Sequence, residues 1–325
     1  MYANGVDTRV WLQSAWRNRL QSALLLLVLA GFLGLLGWLL WGWEGVLAAL
    51  VVGVVAVAFN PVLSPMLVMR LYRATPIHPR QAGPLWPAVA EISERAGLPA
   101  PPVLYYIPSG MLNAMAVGTP RASVVALTDG LLRQLDMREI VGVLAHEISH
   151  IRNNDLWVMG LADLLSRTTS LLSLMGQFLL LLNLPLILFG AVTVNWVAIF
   201  LMVFAPSLSA LAQLALSRTR EFDADLNAVG LTGDPDGLAS ALLKIEQVQG
   251  GVWERILMPG RRIPEPSLLR THPETRERIV RLMSVKPSLP RVPRVGGAAT
   301  DGDALSALAG PVRRSPRWHV TGLWH

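Results

Sequence analysis

Two blocks of this chain are too apolar and too long for the surface of a water-soluble domain. Ala23–Trp43 runs for 21 residues without a charge, and Val46–Met69 follows it after Glu44-Gly45. Thr168–Phe189 and Val192–Leu216 repeat the arrangement, joined at Gly190-Ala191. About 20 apolar residues cross a hydrocarbon core when helical, and in lipid the backbone must satisfy its own hydrogen bonds. Four transmembrane helices in two hairpins are therefore expected. A composition of 52% hydrophobic and 15% charged residues points the same way, being too apolar for an ordinary soluble domain. A cleaved leader is the competing reading of the first run, but that run is too long for one and a second follows at once. For the second block the rival is a helical hairpin buried in a soluble core.

The charges orient the hairpins. Residues 1–22 carry Arg9, Arg17 and Arg19 with Trp11 and Trp16 interleaved, the pattern of an interfacial segment. The first hairpin, 23–69, is followed by Arg70, Arg73 and Arg80, and its internal connection holds only Glu44. Arg167 precedes the second hairpin, 168–216, and Arg218 and Arg220 follow it. Basic residues stay on the cytosolic side, so the N-terminus and both intervening regions, 70–167 and 217–284, are expected in the cytosol beneath a cytoplasmic (inner) membrane. Of the six net positive charges, four lie in the tail, 285–325, where Lys286, Arg291, Arg294, Arg313, Arg314 and Arg317 outnumber Asp301 and Asp303. That Pro- and Arg-rich tail is expected to be disordered. With no groove-reading or base-stacking module beside it, nucleic acid is not an expected partner. The chain has no cysteine, so thiolate chemistry and disulfides are excluded.

Between the hairpins the pattern becomes that of a small α+β domain. A helix is expected over Leu85–Ala96, then strands at Val103–Ile107, Leu112–Val117 and Ser123–Leu127, then a helix from Thr128 through Leu135. Asp136 with Glu139 three residues on forms a capping box for a helix running from Met137 to about Asn153. That helix contains His146-Glu147-Ile148-Ser149-His150. Residues i and i+4 share a helix face, so both imidazoles reach one metal ion while Glu147 stands beside them as a base. This is the zinc-hydrolase arrangement. Arg138, Glu139, Arg152 and Asp155 bracket it, which keeps it out of the bilayer.

Catalytic zinc takes three protein ligands and one open position. Without cysteine, the third is sought among later carboxylates. Ser217–Ala228 reads as a helix on which Glu221 and Asp225 point the same way. Glu221 is the expected ligand, Asp225 the expected partner of a histidine ring nitrogen, and Asp223, on the other side, the weaker candidate. One zinc ion per chain is expected. A helix over Gly237–Val248, a loop over Gly250–Ser267 and a last helix from Thr271 to about Met283 complete the reading.

Taken in order, these segments resemble the HtpX-type membrane zinc metalloproteases, relatives of the CAAX-processing prenyl-protein peptidase. The likeness covers roughly residues 15–284. It rests on Asn113-Ala114-Met115-Ala116-Val117-Gly118, His146-Glu147-Ile148-Ser149-His150, Arg220-Glu221-Phe222-Asp223-Ala224-Asp225 and Thr271-His272-Pro273 with Arg278 and Ile279. It implies a zincin-like catalytic domain whose ligands are His146, His150 and Glu221 and whose general base is Glu147. It also implies that Asn113, Ala114, Met115, Ala116 and Val117 form an edge strand pairing with substrate, and that His272 and Arg278 assist at the site. Met115 stands where the family usually has an aromatic residue. The implied activity is hydrolysis of unfolded or misfolded membrane proteins in quality control and stress response. A selective processing peptidase of the CAAX type and a catalytically idle membrane scaffold are the alternatives.

Overall fold

The computed structural model describes residues 8–58, 65–190, 196–256 and 275–284. His272, residues 59–64 at the end of the first apolar block and the tail from 285 onward lie outside them. The chain divides into two compact units, one built mainly from 63–156 and 221–284, the other from 12–62 and 157–220.

The second unit is helical. Helix α1 (Thr8–Ala58) is broken at Trp41 and Gly42, where Gly42 has φ 63°. A side chain at Gly45 would meet the carbonyl oxygen of Gly37 at 1.9 Å, so the chain doubles back with two backbones touching at glycines. The reversal comes at Trp41-Gly42, ahead of the expected Glu44-Gly45, because Gly42 adopts the left-handed conformation without a Cβ penalty. Later in the chain come α6 (Asp155–Leu182), the short α7 (Leu184–Leu188) and α8 (Trp196–Thr232). Among the described residues three helices, α1, α6 and α8, are long and apolar enough to cross a membrane. Leu29, Leu33, Leu161, Ala162, Leu165 and Leu216 pack in the interior of this unit. Leu171, Leu174, Phe178, Phe189, Trp196 and Phe200 are exposed. A helix set with its largest apolar side chains facing outward matches lipid as the surrounding solvent.

In the first unit, α2 (Pro65–Leu71) precedes strand β1 (Thr75–Pro76), helix α3 (Leu85–Ala96), strands β2 (Val103–Ile107), β3 (Ala114–Thr119) and β4 (Ala122–Thr128), and helices α4 (Asp129–Gln134) and α5 (Met137–Arg152). The sheet order is β1-β2-β4-β3. Strands β2 and β4 are parallel, and β3 pairs antiparallel with β4, which leaves β3 at an edge. One face of the sheet, with Leu104, Ala114, Ala116, Val125 and Leu127, joins the core made with α3 and α5. The other, with Met115, Val124 and Ala126, packs on Val68 and Met69 of α2. The two-residue β1 was not expected, being too short to show a period.

Helix α5 is fixed from both ends and from its back. Asp136 accepts from the backbone of Glu139, and Glu139 accepts from the backbone of Asp136, completing the capping box. The buried Glu139 also accepts from Ser240 and Lys244 of α9 (Pro235–Ile256). Gly142 lets α9 come close: a Cβ there would lie 3.0 Å from the Leu238 backbone. Helix α9 extends to Ile256, so residues 250–256 of the expected loop are helical; the rest of it lies outside the described residues. Helix α10 (Thr275–Ser284) ends the described chain.

Candidate metal centre

Inside α5, four-residue spacing stacks His146 over His150, with ring planes at 86° and centroids 4.7 Å apart. Their Nε2 atoms approach to 3.1 Å. Glu221, on the continuous helix α8, faces both: its carboxylate oxygens lie 3.5 Å from His146 Nε2 and 3.6 Å from His150 Nε2. The three donor atoms fall within 4.8 Å of one another. The residues read from sequence as a ligand set are thus brought together.

Hydrogen bonding explains how the rings are set. Asp225, one turn after Glu221, lies 2.9 Å from His146 Nδ1. Asp155 lies 2.7 Å from His150 Nδ1. A carboxylate accepts only, so each Nδ1 carries the proton and each Nε2 presents a lone pair. Two lone pairs and a carboxylate converging in a mostly buried space repel one another unless a cation lies among them. Electrostatics agree. Burial opposes charging His146, yet Asp225 and Glu221 outweigh it and hold its pKa up at about 9, so without a metal a proton takes the Nε2 position that a cation would occupy. A seat this favourable to a proton is favourable to a metal cation. Two imidazole nitrogens, one carboxylate and a carboxylate behind each imidazole fit zinc.

Arg278, from α10, is 4% exposed and grips Asp225 with two parallel bonds, Nε to Oδ2 at 2.7 Å and Nη2 to Oδ1 at 2.6 Å. Its Nη1 lies 3.4 Å from Glu221 Oε2. Burial raises the pKa of Asp225, but Arg278 and His146 outweigh it and bring it down to about 2. Burial likewise opposes the charge on Arg278, and Asp225 and Glu221 hold it charged. Glu147 is partly exposed on α5, and its charge reaches Arg278. Asp223 turns away and accepts from Asn153 at 3.1 Å. Asn113 sits just before β3, its backbone N–H donating to Thr128 Oγ1 at 2.9 Å. Ala114, Met115, Ala116 and Val117 lie in β3. His272 falls outside the described residues.

Asp155 is the residue that sequence reasoning missed. It registered only as a charge bracketing the motif, because it lies beyond the end of α5. The available signal was a carboxylate directly after Asn153-Asn154, a pair suited to turning a chain back on itself.

Comparison with known proteins agrees with this geometry. The profile of Peptidase family M48 matches residues 79–286, well over half the chain. A Protease HtpX homolog of Desulfatibacillum aliphaticivorans is 33% identical over 288 residues, covering 83% of this chain and 90% of that one. One from Campylobacter hominis is 34% identical over 289 residues, covering 84% and 100%. A crystal structure of S. mikatae Ste24p aligns with TM-score 0.46 and 21% identity, over 86% of this chain and 67% of that one. Helices long and apolar enough to cross a membrane and family membership coincide: this chain belongs to peptidase family M48 and is a membrane metalloprotease.

Proposed function

We propose that the protein is a zinc-dependent endopeptidase that cleaves unfolded or misfolded membrane proteins on the cytosolic side of a cytoplasmic membrane, as quality control. The observation that carries the reading is the convergence of His146 Nε2, His150 Nε2 and Glu221 within 4.8 Å. His146, His150 and Glu221 would hold the ion, and the chemistry it would supply is that of a Lewis acid, acidifying a water molecule and polarising the scissile carbonyl. Glu147, next to His146 on α5, accepts a proton from the attacking water and returns it to the leaving amine nitrogen. Arg278 keeps Glu221 and Asp225 in place, and His272 is assigned to support at the same site. Substrate backbone adds to the free edge of β3, with Asn113 to Val117 lining its path. In the antiparallel β3–β4 register, Asn113 pairs with Thr128. Alternation then turns the main-chain groups of Ala114, Ala116 and Gly118 outward, available to a peptide. Main-chain recognition is loose in sequence, which suits unfolded chains.

Four membrane spans belong to this reading: two in the broken α1, then α6 and α8. The connection between the last two, 183–195, has no charge, whereas arginines flank the opposite ends, supporting a cytosolic site.

Detergent-solubilised protein is expected to hold one zinc and to degrade an unfolded model protein. Glu147→Gln should lower cleavage about 10²–10⁴-fold with zinc content unchanged, and Glu221→Ala should lose the metal. Full activity of the Glu147 variant, or full zinc in the Glu221 variant, would overturn the assignment.

A further inference from the structure

We infer that Asp155 is a positioning residue of the metal centre: it fixes the ring of His150 and its tautomer, so that Nε2 is the nitrogen offered to the metal. This rests on the zinc reading above. Asp155 is outside the histidine-glutamate motif and outside the later Glu-x-x-x-Asp pair. Its carboxylate is nevertheless 2.7 Å from His150 Nδ1, and the residue is 3% exposed. A carboxylate at that depth is costly unless its charge is matched. An imidazole whose other nitrogen binds a cation is a stronger donor than a neutral one, so the metal and Asp155 reinforce each other through the ring.

The backbone is shaped to deliver it. Helix α5 closes with the N–H of Asn153 donating to Ser149 O, and that of Asn154 to Ile151 O. Asn154 then takes φ 57°, a left-handed conformation that costs free energy for a residue with a side chain, though least for Asn and Asp. Helix α6 starts at once with Asp155. A two-residue reversal therefore brings the first residue of α6 back beside the last turn of α5. The helix N-terminus also favours the ionised carboxylate. The result is a counterpart to the His146–Asp225 pair: each imidazole has its own carboxylate, supplied by a different helix. Asp225 is shared with Arg278, so the two pairs respond differently to substitution. Loss of Asp155 frees one ring, whereas loss of Asp225 also strands a buried arginine.

The test uses the full chain in detergent, with zinc affinity measured by chelator competition, the absorption spectrum of the cobalt-loaded protein, and thermal unfolding of the metal-free form. Asp155→Ala is expected to weaken zinc binding about 10–100-fold. Asp155→Asn keeps the size and an acceptor but not the charge, and should fall between that variant and the parent. The cobalt bands should change in both, and metal-free unfolding of the Asn variant should match the parent. Should the Ala variant not fold, the Asn variant decides. Parent-like zinc affinity and cobalt spectrum in the variants overturn the inference alone. So does a metal-free stability loss in the Asn variant as large as its loss of zinc affinity, which marks a structural role. A parent that takes up neither metal sinks the zinc reading and this inference with it.

Discussion

At the scale of single residues, Arg278 shows how the centre tolerates so much buried charge. Glu221 and Asp225 lie one turn apart on α8, both buried, and like charges at that spacing repel. The guanidinium fork of Arg278 spans them, binding Asp225 through two nitrogens and approaching Glu221 with the third. Resemblance alone gave Arg278 an assisting role at the site; its contacts make it a clamp on the helix that carries Glu221 and Asp225. Removing one partner from a buried ion pair costs about 3–5 kcal/mol, because the other is left charged in a poor solvent. Arg278→Met should therefore destabilise the protein by that order and weaken zinc binding. Arg278→Lys should recover only part, since a point charge cannot match two carboxylate oxygens at once. Thermal unfolding and zinc competition on the two variants check this. A methionine variant with parent stability and zinc affinity but slow turnover would place the arginine on substrate instead.

At the scale of elements, α5 is the piece whose local features were legible. Its cap, its start at Met137 and its histidine spacing are local, and local signals survive in a single sequence. The residues that complete the centre were legible unequally. Glu221 and Asp225 share a helix face, so spacing exposed them, whereas Asp155 reaches His150 across a chain reversal whose geometry no period encodes. The ends of α6 and α8 were not legible either. Spans were expected at 168–189 and 192–216, but the helices run Asp155–Leu182 and Trp196–Thr232. Apolarity marks where lipid is, not where hydrogen bonding stops, and no breaker separates the apolar part of α8 from Glu221. Helix α5 also carries the clearest pH dependence. Burial raises the pKa of Glu139, but Lys244, Ser240 and the Asp136 backbone outweigh it and leave it below the ordinary 4.5. A lowered folded-state value means the unfolded chain binds the proton more tightly. The stability from Glu139 is thus present above pH 4.5 and is lost as pH falls through the lower folded value. Glu139→Gln should flatten the acid side of the thermal stability profile. Asp136→Ala should remove about 0.5–2 kcal/mol at all pH values where its cap bonds exist. An acid limb unchanged by the glutamine would rule out this network as its source.

At the scale of the molecule, the metal centre sets a condition on the membrane. His150 and Glu221 can serve one ion only if the chain between them leaves and re-enters the bilayer on the same side, which requires an even number of crossings. At a rise of about 1.5 Å per residue, α6 and α8 are roughly 42 and 56 Å long, each longer than a hydrocarbon core of about 30 Å. On the proposed four-span reading each would project past the bilayer, with Asp155 at the start of α6 and Glu221 and Asp225 toward the end of α8, beside the arginines. On the same reading the first hairpin would obey the same rule, with Arg19 and Arg70 toward its outer ends and Glu44 near the Trp41-Gly42 break. The cysteine-free chain makes this directly measurable. Single cysteines at Glu44 and Phe189 should react with a membrane-impermeant thiol reagent in right-side-out vesicles. Cysteines at Gln81 and Glu277, both exposed in the other unit, should react only in inverted vesicles. Labelling of 44 and 189 on opposite faces would leave one hairpin incomplete. Labelling of 81 and 277 on opposite faces would separate Arg278 from His146 across the bilayer, which the 3.4 Å between them forbids.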